Sequence, residues 1–191
     1  MAHGAWGMEK HTELPVFRYH PDPIGSGSIK ASGNVCVACG LARGFVLAGQ
    51  PYGIGEYLDC ICPWCIADGS AHEKLSVEFS DAAFVGAWGL CETVPETVIE
   101  EVTYRTPGFE SWQGDKWFTH CGDAAAFIGV VGYKELLRAG TDAIEAVRQD
   151  SGFSREEWSR FVTIIDKNGS PTAYLFQCLH CGQYGGFYDR D

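Results

Sequence analysis

The sequence predicts an α+β fold, with short β elements near both chain ends and a helical middle. Three observations support this. Strand-like apolar stretches fall within residues 14–53 and 166–189, capping signals and helical periodicity gather between 93 and 165, and no strand–helix–strand unit recurs. At 191 residues, 46% hydrophobic and 20% charged, the chain is the size of one domain with a substantial core. The expected organisation is a loose N-terminal tail over 1–13 and a single domain over 14–191.

Taken in order, "LPVFRYH" (14–20) alternates enough for a strand, and "PDPIGSGS" (21–28) then breaks any regular element. "GNVCVACG" and "RGFVLAGQPYG" read as strand, tight turn and strand, and "SAHEKL" (70–75) suits one or two helical turns. "TVPETVIEEV" (93–102) opens with a capping-box pattern, Thr93 to Glu96, with Pro95 in the first turn. "RTPGFESWQGDKWFTHCGD" (105–123) reads as an ordered aromatic loop leading into a strand at "KWFTHC". "DAAAFIGVVG" is expected as a buried helix, followed by helices over "YKELLRAG" and "TDAIEAVRQD". Ser154 and Glu157 make a second capping box, ahead of a helix face formed by Trp158, Phe161, Val162 and Ile165. The end, "DKNGSPTAYLFQCLHCGQYGGFYD", reads as turn, strand, knuckle and strand.

The chemistry lies in the cysteines. C-x-x-C occurs three times, as "CVACG" (36–40), "CPWC" (62–65) and "CLHCG" (178–182). Two intervening residues let one tight turn present two thiolates to an ion, and a following glycine accepts the left-handed backbone that the turn requires. Cys39 and Cys62 are separated by 22 residues, slightly beyond the usual linker of roughly 15–20 in a zinc ribbon. We therefore assign Cys36, Cys39, Cys62 and Cys65 to one Zn²⁺. Cys178 and Cys181 need two further ligands, and His120 with Cys121 are the best candidates. Neighbours on a strand face opposite ways, so both reach one ion only if the backbone turns there, as Gly122 permits. Asp123 beside Cys121, or His72 from elsewhere, are the alternatives. The expected architecture is thus zinc-ribbon-like β elements around two Zn²⁺ ions. Cys60 and Cys91 remain as buried small hydrophobes.

An odd count of nine cysteines, with no basic-then-apolar leader, argues against a secreted disulfide scaffold and for a cytoplasmic location. No apolar run approaches the roughly 18 residues of a membrane span. The formal charge of −11 disfavours sequence-independent nucleic-acid binding. Thiolate-bound zinc would deepen that charge to about −14. A basic protein partner fits such a field.

"CPWC" also resembles a redox dithiol, but the preceding "GIGEYLD" is not the buried strand that such a motif follows. A nucleophilic reading of Cys121, His120 and Asp123 requires adjacent residues to place a ring against a thiol. An open coordination position at the same residues would allow zinc-dependent hydrolysis. No phosphate-binding loop, nucleophile elbow or dinucleotide fingerprint is present. "YHPDP" (19–23) and "RTPGFESWQ" (105–113) suggest a shared surface, or turns buried under aromatics.

In their order, "LPVFRYHPDPIGSGSI", "CVACG", "CPWCIADGSA", "RTPGFESWQGDKWFTHCGD" and "YLFQCLHCG" resemble the CbrC-like family of small bacterial proteins, from about Leu14 to the C-terminus. The resemblance implies a soluble bacterial protein with metal-type cysteines and a setting of tolerance to colicin-type toxins. It brings no catalytic residues. The expectation is a non-enzymatic, zinc-stabilised protein-binding module in stress response or toxin tolerance. The alternatives are a zinc-dependent hydrolase at His120/Cys121/Asp123 and a thiol–disulfide oxidoreductase at Cys62/Cys65.

Overall fold

The computed structural model describes residues 13–88 and 91–190, so the expected tail over 1–13 lies almost wholly outside the described residues. Mixed helices and small antiparallel sheets make an α+β architecture. The N-terminal part is sparse in regular structure. β1 (Ile29–Ala31) pairs with β2 (Phe45–Leu47), and two short helices follow, α1 (Pro63–Ala67) and α2 (Ser70–Leu75). An apolar cluster that includes Phe17, Ile29, Ile61, Ile66, Val77 and Phe79 holds them together.

After α3 (Glu96–Arg105) the chain forms a tight hairpin, β3 (Thr119–His120) with β4 (Asp123–Ala124). β5 (Ala126–Val131), β6 (Thr172–Gln177) and β7 (Tyr184–Asp189) then make a three-stranded antiparallel sheet. Trp117, Phe127, Tyr174 and Phe176 pack together in a central aromatic cluster. A third cluster sets the sheet against α4 (Tyr133–Ala139), α5 (Thr141–Ser151) and α6 (Arg155–Phe161). The predicted apolar face after Ser154 does this, with Trp158, Val162 and Ile165 buried and the Ser154–Glu157 capping box formed.

Four expectations are corrected. Residues 14–20 form bends rather than a strand, although Phe17, Tyr19 and His20 are buried. The partner of β2 is Ile29–Ala31, and "GNVCVACG" itself is turn. Glu96 begins α3 with Pro95 as its N-cap, so Glu96 sits too early to close a box with Thr93. "DAAAFIGVVG" is strand rather than helix. A continuous apolar run satisfies either period, and pairing with β6 decides it, with a bulge between Phe127 and Gly129 that leaves Ile128 exposed. No helix among the described residues is long and apolar enough to cross a membrane.

Candidate metal centres

Among the described residues two clusters of four ligand atoms form, each with every atom within 4.8 Å of the others: Cys36, Cys39, Cys62 and Cys65, and His120, Cys121, Cys178 and Cys181. The structure thus brings together all eight residues singled out from the sequence, and pairs the 36–39 knuckle with 62–65. His72 is in neither cluster; its Nδ1 bonds the Val77 carbonyl and its ring stacks on Tyr104.

The knuckles at 36–41 and 178–183 are built alike. In each, the first cysteine's N–H donates to the carbonyl five residues on, Leu41 or Gln183, and its own carbonyl accepts from the glycine N–H four residues on. Gly40 and Gly182 take φ of 72° and 76°, the left-handed conformation that lets this turn close. The third C-x-x-C differs. Cys62 is the N-cap of α1, Pro63 opens the helix, and the Cys65 N–H returns to the Cys62 carbonyl. The first cluster therefore joins a knuckle to a helix start.

Its sulfurs stand at tetrahedral spacing. Four thiolates about 2.3 Å from one ion lie about 3.8 Å apart, and the Cys36–Cys65 and Cys39–Cys62 Sγ separations are 3.8 and 3.9 Å. Cys36, Cys62 and Cys65 are buried. Cys36 is held down at about 4 by hydrogen bonds from the Cys62 thiol and backbone N–H groups, while donating to Cys36 pushes Cys62 up, and burial pushes Cys65 up to about 11. In the 62–65 pair it is the leading cysteine, Cys62, that is pushed up, the reverse of a redox dithiol, whose leading cysteine is the acidic one.

The second cluster depends on a turn. Cys121 and Gly122 take φ of 56° and 70° between paired His120 and Asp123. Left-handed backbone at both central residues is what a two-residue hairpin requires, and it swings Cys121 round to the side of its neighbour. His120 Nδ1 lies 3.2 Å from Cys121 Sγ and 3.4 Å from Cys181 Sγ, near the ~3.6 Å expected between imidazole and thiolate ligands of one tetrahedral ion. The other ring nitrogen faces Glu92 Oε1 at 3.9 Å. Cys178 is buried, while Cys121 and Cys181 are exposed. Burial opposes ionisation of Cys178, but N–H groups of Cys181 and His180 outweigh it and bring the thiol to about 6.

Asp123 is in neither cluster. Its buried carboxylate accepts from Arg18, from Tyr19 Oη at 2.7 Å and from His180 Nε2 at 2.8 Å. Burial raises its carboxyl, but the Tyr19 and His180 hydrogen bonds and the Arg18 charge prevail and hold it below the usual range. Sequence reading missed Arg18, Tyr19 and His180. The only signal for His180 was its place inside "CLHC". Segment 17–20 is a seam: Phe17 packs in the first core, Arg18 and Tyr19 hold Asp123, and His20 Nδ1 donates to the Pro107 carbonyl at 2.7 Å. "YHPDP" and "RTPGF" therefore do meet, under the aromatics of the core.

The family model described as Uncharacterised protein family (UPF0167) matches residues 14–190. The chain belongs to the UPF0167 family. UPF0167 proteins of Mycobacterium bovis and Mycobacterium tuberculosis are each 44% identical to it over 182 residues, covering 93% of this chain and 94% of the relative. A UPF0167 protein of Pseudomonas aeruginosa is 42% identical over 179 residues, covering 93% and 97%. The family is bacterial in these relatives, and its description carries no activity. No solved structure matches the chain.

Proposed function

We propose that this UPF0167 protein is a non-enzymatic binding module stabilised by two zinc ions. The observation that carries the reading is that each cluster brings four protein ligand atoms within 4.8 Å of one another, with sulfur pairs of the first at 3.8 and 3.9 Å. A closed set of four is the mark of structural zinc, whereas catalytic zinc keeps a position for water. We read the second cluster, formed where two hairpin turns meet, as ribbon-like. Hydrolysis at His120, Cys121 and Asp123 is disfavoured because Asp123, the candidate base, already accepts from three donors.

The partner proposed is a basic protein, in a setting of stress response or tolerance to colicin-type toxins, and the place of action is the cytoplasm. A formal charge of −11, deepened to about −14 by zinc thiolates, steers a basic protein inward and repels nucleic acid. Metal analysis with X-ray absorption at the zinc edge tests the core of the reading. Two zinc ions per chain, one in a four-sulfur shell and one in a three-sulfur, one-nitrogen shell, are expected. A shell containing bound water would replace the binder with the hydrolase.

A further inference from the structure

Away from both clusters, a cleft of about 860 Å³ opens between the loop after β2, the aromatic loop 108–115, the turn at 167–170 and the edge of β6. Its volume is that of a small-molecule site, for which the usual range is roughly 300–1,000 Å³. Neither metal centre contributes to its lining.

The walls carry three kinds of group. Aromatic faces come from Tyr52, Phe109, Trp112 and Tyr174. Carboxylates come from Asp115 and Glu110. Asp115 is 3% exposed, accepts from Tyr52 Oη at 2.8 Å, and forms no ion pair with a described residue. Burial raises its carboxyl, the signature of a negative charge without a cation beside it. Glu110 reaches across to the opposite loop, where its Oε1 lies 2.9 Å from the point at which a side chain on Gly49 would begin. The third kind is unspent hydrogen bonding. Thr172 Oγ1, on a residue 3% exposed, and the buried Ser111 Oγ have no hydrogen-bond partner among the described residues. Buried hydroxyls are normally paired, and both of these belong to residues that line the cleft.

The requirements converge. Carboxylates only accept, hydroxyls can accept, and aromatic faces attract cations. Among the described residues Lys167 is the one cation lining the cleft, against two acids, so an anionic ligand is repelled. We propose that this cleft binds a small organic cation, an alkylamine or alkylguanidine, with its head taken by Asp115 and Glu110 and its stem laid along the rings. The proposal stands apart from the zinc and partner readings, because its groups are not those of the clusters.

Isothermal titration of the full metal-loaded chain with agmatine and cadaverine tests it, with 1,5-pentanediol and glutarate as neutral and anionic counterparts of the same skeleton. Saturable binding of at least one cation is expected, weakened about tenfold or more in both Glu110→Gln and Asp115→Asn, with neither counterpart binding. Glu110 is exposed, so E110Q reports on the cleft without disturbing packing, and unchanged zinc content in it separates this test from that of the metal sites. Failure of both cations to bind, equal binding of pentanediol, or unchanged affinity in E110Q would overturn the proposal.

Discussion

The two clusters face the same coordination problem in opposite surroundings. In the first, three of the four cysteines are buried, within a core of Phe17, Ile61, Ile66 and Val77. In the second, Cys121 and Cys181 are exposed, and the neighbouring support is ionic, through Asp123 and its three donors. The regular structure around them differs as well. Beside the first lie two three-residue strands and helices of five and six residues, none of which persists alone in water. The second is fastened to a hairpin tip and to a three-stranded sheet backed by helices. The first cluster is thus part of a core, and the second joins elements that already have one.

The largest expected effect follows from that contrast. Cys62→Ser should remove one zinc equivalent and the protection of amides between Ile29 and Phe79, since structural zinc contributes on the order of 10 kcal/mol in small domains. Cys181→Ser should remove the other equivalent while hydrogen exchange over 29–79 stays slow. Equal collapse in both variants, read by metal analysis and hydrogen exchange, would break the comparison.

His20 probes the seam between the two regions. Buried and held near 4 in the folded chain, against about 6.5 when unfolded, it takes a proton in the unfolded state first as pH falls. Stability is therefore lost progressively from about pH 6.5 down to 4 and changes no further below that, a total of about 3 kcal/mol. The term should be missing from His20→Gln, so the difference between wild-type and variant denaturation curves isolates it and cancels the acid sensitivity of the ligands themselves.

Asp123→Asn sharpens the claim that the second cluster is supported ionically. It leaves Arg18 and His180 without a carboxylate and should cost about 2–3 kcal/mol, with faster release of the second ion and no change at the first. In the wild type, chelator should extract the exposed cluster at least about tenfold faster than the buried one, a gap of about 1.4 kcal/mol in barrier; a single extraction phase would contradict this. The smallest effect belongs to Cys91→Ala. Cys91 is half-buried in the wall of a small apolar cavity with Trp88 and Phe118. Its loss should leave both equivalents in place and shift stability by no more than about 1 kcal/mol.

How far the sequence was legible depends on how local each signal is. The knuckles, the Ser154 box and the short helices over 133–139 and 141–151 were readable because each is written within a few residues. "DAAAFIGVV" was not, since its apolar run has no period and β6, some forty residues on, chooses strand. "LPVFRYH" alternates like a strand, yet its side chains serve two cores and a carboxylate instead of a ladder. The cation-ready cleft was invisible, because its walls come from segments scattered between residues 26 and 174.

By itself the sequence determined the ligand chemistry: thiolates with two residues between them, each turn closed by glycine or begun by proline, and a His-Cys pair ahead of a glycine. Spacing within a turn is covalent geometry and needs no fold to be expressed. Only the tertiary structure decided which knuckles meet, that Asp123 supports the second centre and does not bind in it, and that one centre is buried and the other open to water. Those outcomes depend on closing loops of more than twenty residues and on what surrounds the sulfurs once they meet. Loop closure costs entropy that grows only slowly with length, so it leaves several pairings open; desolvation and packing of distant side chains select one.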